Sequence, residues 1–303
     1  MSRHIFWLAS YPKSGNTLLR SILASLFFSN NGEFTFELLK KIVVFEELSR
    51  LAKCYNTRPN NINKREWKSR NSLIFANLKE LQNKINLGFT EDFAFFKTHF
   101  NAKNFDGQSF LIEDYLRGVI YIYRDPRDVC ISWARHSDIS KDDSLKFMLN
   151  ENASINWIDQ ENFSAYKKNI PAYISSWENH VNSWINFKFN CPFLLINYEE
   201  LVYDKKNTIL KLIEFFKRNY NIKIINEDVK IKNILKYTSF NNLKNMEQKY
   251  GFSERVNNQF FGVGKKEQWR TQLNESQITL LEQNFGLTMK RLKYKLNNYK
   301  FNS

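Results

Sequence analysis

An apolar run that stops at a proline–glycine turn and restarts with helical spacing constrains this chain more than any other stretch. Ile5 to Ala9 read as a strand buried on both faces, while Leu18, Leu19, Ile22, Leu23, Leu26 and Phe27 recur on one helix face. Between them lies Tyr11-Pro12-Lys13-Ser14-Gly15-Asn16-Thr17. A helix start presents unpaired backbone N–H groups and the positive end of the macrodipole. Gly15 lets a ligand approach the backbone closely, and Lys13, Ser14, Asn16 and Thr17 add donors. The combination suits phosphate or sulfate. It does not fit Walker A, G-x-x-x-x-G-K-[ST], because Lys13 precedes the glycine and no glycine lies four or five residues upstream. An ordinary strand-to-helix connection would also read this way, so later segments must decide.

Three more apolar runs end on charged tips. Phe93 to Phe96 leads into Lys97-Thr98-His99, Val119 to Tyr123 into Arg124-Asp125-Pro126-Arg127-Asp128, and Phe193 to Ile196 into Asn197-Tyr198-Glu199-Glu200. Asp125 suits a helix cap and Pro126 a first turn, so a helix should follow Arg124. Helical spacing also marks Phe36–Leu51, Leu73–Leu87, a segment starting at Pro171 with Ile174, Trp177, Val181, Trp184 and Ile185 on one face, Lys205–Arg218, Glu227–Leu235 and a closing helix. The polar, Asn-rich residues 138–169 and the aromatic-bearing residues 30–92 read as lid or cap insertions on a single domain spanning 1–303. Strands alternating with helices predict a three-layer α/β/α architecture around a mostly parallel sheet, in which ligands bind beyond the carboxyl ends of the strands. Lys13, Lys97, His99, Arg124 and Tyr198 would then converge on one rim.

Composition narrows the ligand. With 303 residues, 43% apolar and 16% aromatic, the chain can build a substantial core. Lys and Arg number 45 against 31 Asp and Glu, a net charge of +14, which favours anionic ligands. The charges are scattered, with no basic stripe, helix-turn-helix or zinc pattern, so no nucleic-acid partner is expected. Cys54, Cys130 and Cys191 are far apart and form no C-x-x-C pair, as in reduced cytoplasmic proteins. A first strand close to Met1 leaves no room for a signal peptide, and no apolar run approaches the roughly 20 residues of a membrane span. A cytoplasmic enzyme without a membrane anchor is the expectation, and a homodimer is left open.

In this order the residues resemble the sulfotransferases that use 3′-phosphoadenosine 5′-phosphosulfate (PAPS). Ser10 to Thr17 is similar to the family's 5′-phosphosulfate loop, Y-P-K-S-G-[TN]-T, and Lys97-Thr98-His99 to its K-T-H strand end, whose histidine is the catalytic base. Arg124 to Ser132 resembles the 3′-phosphate motif, an arginine and a serine eight residues apart. Asn197-Tyr198-Glu199 resembles F-Y-E, whose tyrosine reaches the nucleotide, and Thr238-Ser239-Phe240 the T-S-F segment near adenine. The resemblance covers about residues 10 to 270 and implies a P-loop-like sulfotransferase fold. Two places depart from it. Leu18 stands where members often stack a tryptophan on adenine, a task left to Phe240. The C-terminal R-K-G-x-x-G-x-W-K element is represented by Gly262-Val263-Gly264, with Trp269-Arg270 retained. Lys265 and Lys266 are the expected replacements for the two missing cations, with Arg255 as a further candidate.

The resemblance implies sulfuryl transfer to the hydroxyl or amine of a small-molecule or glycan acceptor, with adenosine 3′,5′-bisphosphate as product. Charge grows on the departing 5′-phosphate, and Lys13, Lys97 and the loop N–H groups would meet it. The moving group carries one negative charge fewer than a phosphoryl group, so no metal is expected. His99 is the candidate general base, a role worth roughly 10²–10⁴-fold. His4, His136 and His180, the other three histidines, are read as structural. The competing reading is a P-loop small-molecule or nucleotide kinase using Mg-ATP, for which Asp125 is the plausible metal carboxylate.

Overall fold

Parallel strands carry the fold. The computed structural model describes residues 3–47, 78–88, 92–102, 109–155, 172–255, 259–262 and 264–297. In chain order its strands are β1 (Ile5–Ser10), β2 (Val43–Val44), β3 (Ala94–Thr98), β4 (Leu116–Tyr123), β5 (Ser154–Ile155), β6 (Ala172–Tyr173) and β7 (Phe193–Asn197). The helices are α1 (Asn16–Phe28), α2 (Phe36–Leu39), α3 (Leu78–Leu87), α4 (Pro126–Ser137), α5 (Lys141–Leu149), α6 (Trp177–Ile185), α7 (Tyr198–Tyr203), α8 (Lys205–Tyr220), α9 (Glu227–Tyr237), α10 (Phe240–Tyr250), α11 (Trp269–Gln272) and α12 (Glu275–Arg291).

The main sheet has the order β2-β3-β1-β4-β7, with every pairing parallel, and β5 pairs with β6 in a separate antiparallel ribbon. Ala9 lies opposite Thr98, Ser10 opposite Ile122, and Ile122 opposite Ile196. This register brings the carboxyl ends of β1, β3, β4 and β7 to one level. The chain leaves β1 toward β3, then crosses to β4 on the other side, so β1 stands at a topological switch point, where open α/β sheets bind ligands.

Side chains alternate across the sheet and divide its core in two. Ile5, Trp7 and Ala9 join Trp177, Val181 and Trp184 of α6 and Leu281 and Phe285 of α12 on one face. Phe6 and Leu8 join Leu19, Ile22 and Leu23 of α1 and Leu212 and Phe216 of α8 on the other. All six residues of β1 are buried, as its unbroken apolar run predicts, and the three-layer α/β/α architecture follows.

Several expected boundaries shift. The helix expected over Phe36–Leu51 ends at Leu39, because Val43 and Val44, both β-branched, pair with Phe96 and Lys97 as an edge strand. Residues 48–77, including the polar segment Asn56–Arg70, Cys54, Tyr55, Trp67 and Phe75, lie outside the described residues. The helix expected from Pro171 begins at Trp177, where the Ser176 hydroxyl caps the Asn179 N–H; Ala172–Tyr173 forms β6 instead. Within 138–169, residues 141–149 form α5, which sends Leu145 and Met148 into the core, and residues 156–169 lie outside the described part.

The start of α4 is clamped by a buried charge network. Asp125 caps the Arg127 N–H and takes Nε and Nη2 of the same arginine at 2.9 and 2.7 Å, while Arg127 Nη1 reaches Glu282 of α12 at 2.7 Å. The Arg127 guanidinium lies 3.8 Å above the Trp269 ring, and Asp128 accepts the backbone N–H groups of Glu267 and Trp269. Removing one member of such a buried set leaves uncompensated charge. Arg127→Ala should therefore lower stability by about 3–5 kcal/mol in urea unfolding, whereas Arg218→Ala, which breaks only the exposed pair with Glu214, should barely move the midpoint.

Candidate active site

The turn after β1 is built from backbone conformations that few residues adopt. Lys13 (φ 65°) and Gly15 (φ 96°) both lie in the left-handed region, and Gly15 caps α1 without a side chain. The N-cap thus supplies no side-chain acceptor to the first-turn N–H groups of α1, and Asn16 and Thr17 of that turn line the cleft. Asn16 ties the loop to its own strand, donating through Nδ2 to the Leu8 carbonyl at 3.0 Å and to Ser10 Oγ at 3.2 Å. A Cβ on Gly15 would fall 2.3 Å from Cδ2 of Tyr198, so the loop and the tyrosine ring can coexist only because residue 15 is glycine.

The other strand ends close on this loop. Arg124, at the end of β4, donates through Nη1 to the Lys13 carbonyl at 3.2 Å and lies 4.3 Å above the Tyr198 ring. It is 5% exposed, and its Nε has no hydrogen-bond partner among the described residues. At the end of β3, His99 Nδ1 stands 2.7 Å from the Ser10 carbonyl. A carbonyl can only accept, so Nδ1 carries the proton and Nε2 keeps the lone pair. Burial, with the Lys97 and Lys13 ammonium charges, holds the His99 pKa well below the ordinary histidine value, which leaves the ring neutral at neutral pH.

Two further groups hold His99 in place. Glu46, 1% exposed, accepts the His99 N–H at 2.5 Å and the Thr98 hydroxyl at 3.0 Å through Oε1, and its Oε2 lies 3.5 Å from Lys97 Nζ. His180 donates from Nε2 to the His99 carbonyl at 3.0 Å and accepts the Tyr121 hydroxyl at Nδ1, 2.9 Å away; burial drives its pKa down to about 3. It is structural, as expected, and its structure serves the site.

These ends enclose a cleft of about 390 Å³. Lys13, Gly15, Asn16 and Thr17 line it from the loop, Lys97 and His99 from β3, Arg124 and Ser132 from β4 and α4, Tyr198 and Phe240 from beyond β7. Lys13 sits 4.4 Å above the Phe260 ring; burial and the charges of Arg135 and Arg124 lower its ammonium pKa to about 7. Leu18 also lines the cleft, and Phe240 packs so tightly on Gly264 (φ 59°) that a Cβ there would come within 2.6 Å of its ring.

Residues 3–293 match the family model described as the sulfotransferase domain. The chain belongs to the sulfotransferase-domain family. Its relatives include Sulfotransferase 2A6 of Mus musculus, 29% identical over 130 residues, which cover 42% of this chain and 38% of that protein. The luciferin sulfotransferase of Photinus pyralis is 26% identical over 256 residues, covering 78% and 56%. These matches thus span less than two thirds of either relative's length. The fold is shared with a mouse sulfotransferase solved in complex with PAP, at a TM-score of 0.58 and 18% identity over 97% of this chain and 86% of that one.

The sulfotransferase domain does not place every expected residue in the cleft. Ser14 is wholly buried beneath the loop. Thr238 is buried too, with its hydroxyl donated to the Ile234 carbonyl, because at the end of α9 the nearest acceptor is its own helix. Lys265 and Lys266 are exposed and outside the lining; the Lys266 ammonium lies 4.8 Å over the Tyr203 ring instead. Arg255, the other candidate, does line the cleft. Asp125, the carboxylate a kinase would need for its metal, spends both oxygens on Arg127.

Sequence reasoning missed Glu46, Arg135 and Glu254, all lining the cleft. Glu254 accepts the Thr17 hydroxyl at 3.0 Å and Arg20 Nη1 at 2.5 Å. Burial would raise its pKa, but Arg20, Lys97 and the Thr17 hydrogen bond outweigh that and hold it below the usual carboxylate value. Acidic residues next to an edge strand or in a Gly-bounded turn carry no periodic signal. For Arg135 the signal was its place three residues after Ser132 on the same helix.

Gly15→Ala must both strain the backbone and displace Tyr198, with an expected loss of roughly 1–3 kcal/mol in chemical unfolding. Gly251→Ala shares a positive φ (71°) but meets nothing within 4 Å, and should cost less.

Proposed function

We propose that this sulfotransferase domain moves the sulfuryl group of PAPS to a hydroxyl or amine of a small-molecule or carbohydrate acceptor, with His99 as general base. The observation that carries this reading is the pairing of a neutral, oriented imidazole with a dense group of cations at the same strand ends. Arg124 is buried with an Nε that has no partner among the described residues, and Lys13 has its pKa depressed by burial and then by its cationic neighbours; both features favour an anion in the cleft. The residues fit a nucleotide carrying phosphate at both ends. The α1 start with Lys13 would hold the 5′ end, Arg124 and Ser132 the 3′-phosphate, and Leu18 and Phe240 offer apolar surface to the base.

PAPS, when bound, supplies the activated sulfuryl group. Lys13, Lys97 and the first-turn N–H groups of α1 are placed to stabilise negative charge that grows at the loop, each fixed donor being worth a few kcal/mol. His99 takes the acceptor's proton at Nε2, while Nδ1, donating to the Ser10 carbonyl, keeps the ring in that tautomer. Glu46 and His180 grip the backbone of His99 from two sides and so limit its movement. Val44 and Glu46, from 30–92, and Ile155, from 138–169, line the cleft, which supports the reading of both segments as covers over the acceptor. Among the described residues no helix is long and apolar enough to cross a membrane, and Cys130 and Cys191 are free thiols, in keeping with a cytoplasmic setting.

Two measurements test this. His99→Asn should lower turnover with labelled PAPS by at least about 100-fold while nucleotide binding survives; near wild-type turnover removes His99 from the role. Because the His99 pKa lies well below its ordinary value, the acid-side loss of wild-type turnover should fall below the usual histidine range. Lys13 behaves oppositely. An anion favours its charged form, so binding takes up protons, and affinity for adenosine 3′,5′-bisphosphate should fall as pH rises through and above about 7. Lys13→Arg, always charged in this range, should flatten that dependence in calorimetric titration.

A further inference from the structure

Arg135 has a position in the cleft that none of the motifs accounts for. It lies on α4 three residues after Ser132, so the two side chains share a helix face, and both line the cleft. Its guanidinium is pressed against the backbone of Gly262. A Cβ at residue 262 would stand 2.1 Å from Nη1 and 2.4 Å from both Cζ and Nη2. Any side chain at 262 would therefore claim the volume that the guanidinium fills. The sequence places Gly262 where the resembled motif carries its loop arginine, so one cation is missing from the loop and another enters the same space from the helix.

The electrostatics agree with the geometry. Burial and the adjacent Arg124 charge lower the Arg135 pKa, and Arg135 in turn heads the charges that lower Lys13. Three cations held this closely repel one another in a partly desolvated cleft, and a polyanion between them removes the repulsion. The start of α1 already offers one anion site, and Arg124, Ser132 and Arg135 form a second cluster along α4. Lys265 and Lys266 stay outside it.

We propose that Arg135 is a second cation for the 3′-phosphate of the nucleotide, acting with Arg124 and Ser132, and that Gly262 is required to admit it. The assignment rests on the PAPS reading above. It makes Arg135 a specificity determinant, since a nucleotide without a 3′-phosphate gains far less from it.

Calorimetric titration of the whole chain with adenosine 3′,5′-bisphosphate and with adenosine 5′-phosphate tests it, using wild type, Arg135→Ala and Gly262→Ala. Gly262 has no positive φ, and the atoms nearest a Cβ there are the far end of the Arg135 side chain, so its alanine variant displaces the guanidinium without removing it. Both variants should lose roughly 10- to 100-fold in affinity for the bisphosphate, the worth of a charge-assisted contact, and little for the 5′-phosphate. If Arg135→Ala does not fold, Gly262→Ala decides alone. Wild-type preference for the bisphosphate that persists unchanged in the variants overturns the role of Arg135 and leaves the PAPS reading standing. An equal loss for both nucleotides also overturns it, because that marks a purely structural residue. A wild type that does not distinguish the two nucleotides overturns the PAPS reading, and this assignment with it.

Discussion

A glycine pressed against a tyrosine ring joins the strand ends into one site. Gly15 leaves room for Tyr198, Tyr198 lies under the Arg124 guanidinium, and Arg124 donates to the carbonyl of Lys13, two residues before Gly15. This circuit links the ends of β1, β4 and β7. The parallel register supplies the common level at which they meet, and the left-handed turn at residues 13 and 15 supplies the approach. His99 joins the same circuit through the Ser10 carbonyl, so its imidazole and the loop are held by consecutive parts of one strand and turn.

The site is electrostatically expensive without an anion. Burial first, and then the charges of neighbouring cations, depress the pKa values of Lys13 and Arg135. Two carboxylates balance part of this charge at the margins, Glu46 beside Lys97 and Glu254 beside Arg20 and Thr17. The carboxylates of α4 and its surroundings are engaged elsewhere, Asp125 and Glu282 with Arg127 and Asp128 with backbone N–H groups. Asp125, Asp128 and Glu282 thus clamp the scaffold, while Lys13, Lys97, Arg124 and Arg135 line the cleft with Glu46 and Glu254 among them.

Much of this was legible in the sequence because strand ends are where alternation stops and charge begins. Ile5–Ser10 with its loop, Lys97, His99 and Arg124 were readable from local pattern, and Ser132 from the resemblance to the sulfotransferase 3′-phosphate motif; the structure places them together around one cleft. What could not be read depends on contacts between distant segments. Glu46 follows a two-residue edge strand whose existence depends on pairing with β3, so helical spacing over Phe36–Leu51 masked it. Thr238 was named because Thr238-Ser239-Phe240 resembles the T-S-F segment near adenine, yet its hydroxyl closes the preceding helix and Ser239 caps the next. Lys265 and Lys266 were chosen by proximity in sequence to Gly264, and only the fold shows that Arg135 lines the cleft against Gly262 while the two lysines do not line it.

The central claim is that these strand ends form a site for a nucleotide phosphorylated at both the 3′ and 5′ positions. Its most direct test is thermal stabilisation of the protein by adenosine 3′,5′-bisphosphate and by ATP, each measured with EDTA and with Mg²⁺. The melting temperature should rise with the bisphosphate equally in EDTA and Mg²⁺, and by less with ATP. Stabilisation by ATP that requires Mg²⁺, with none from the bisphosphate, would contradict the claim.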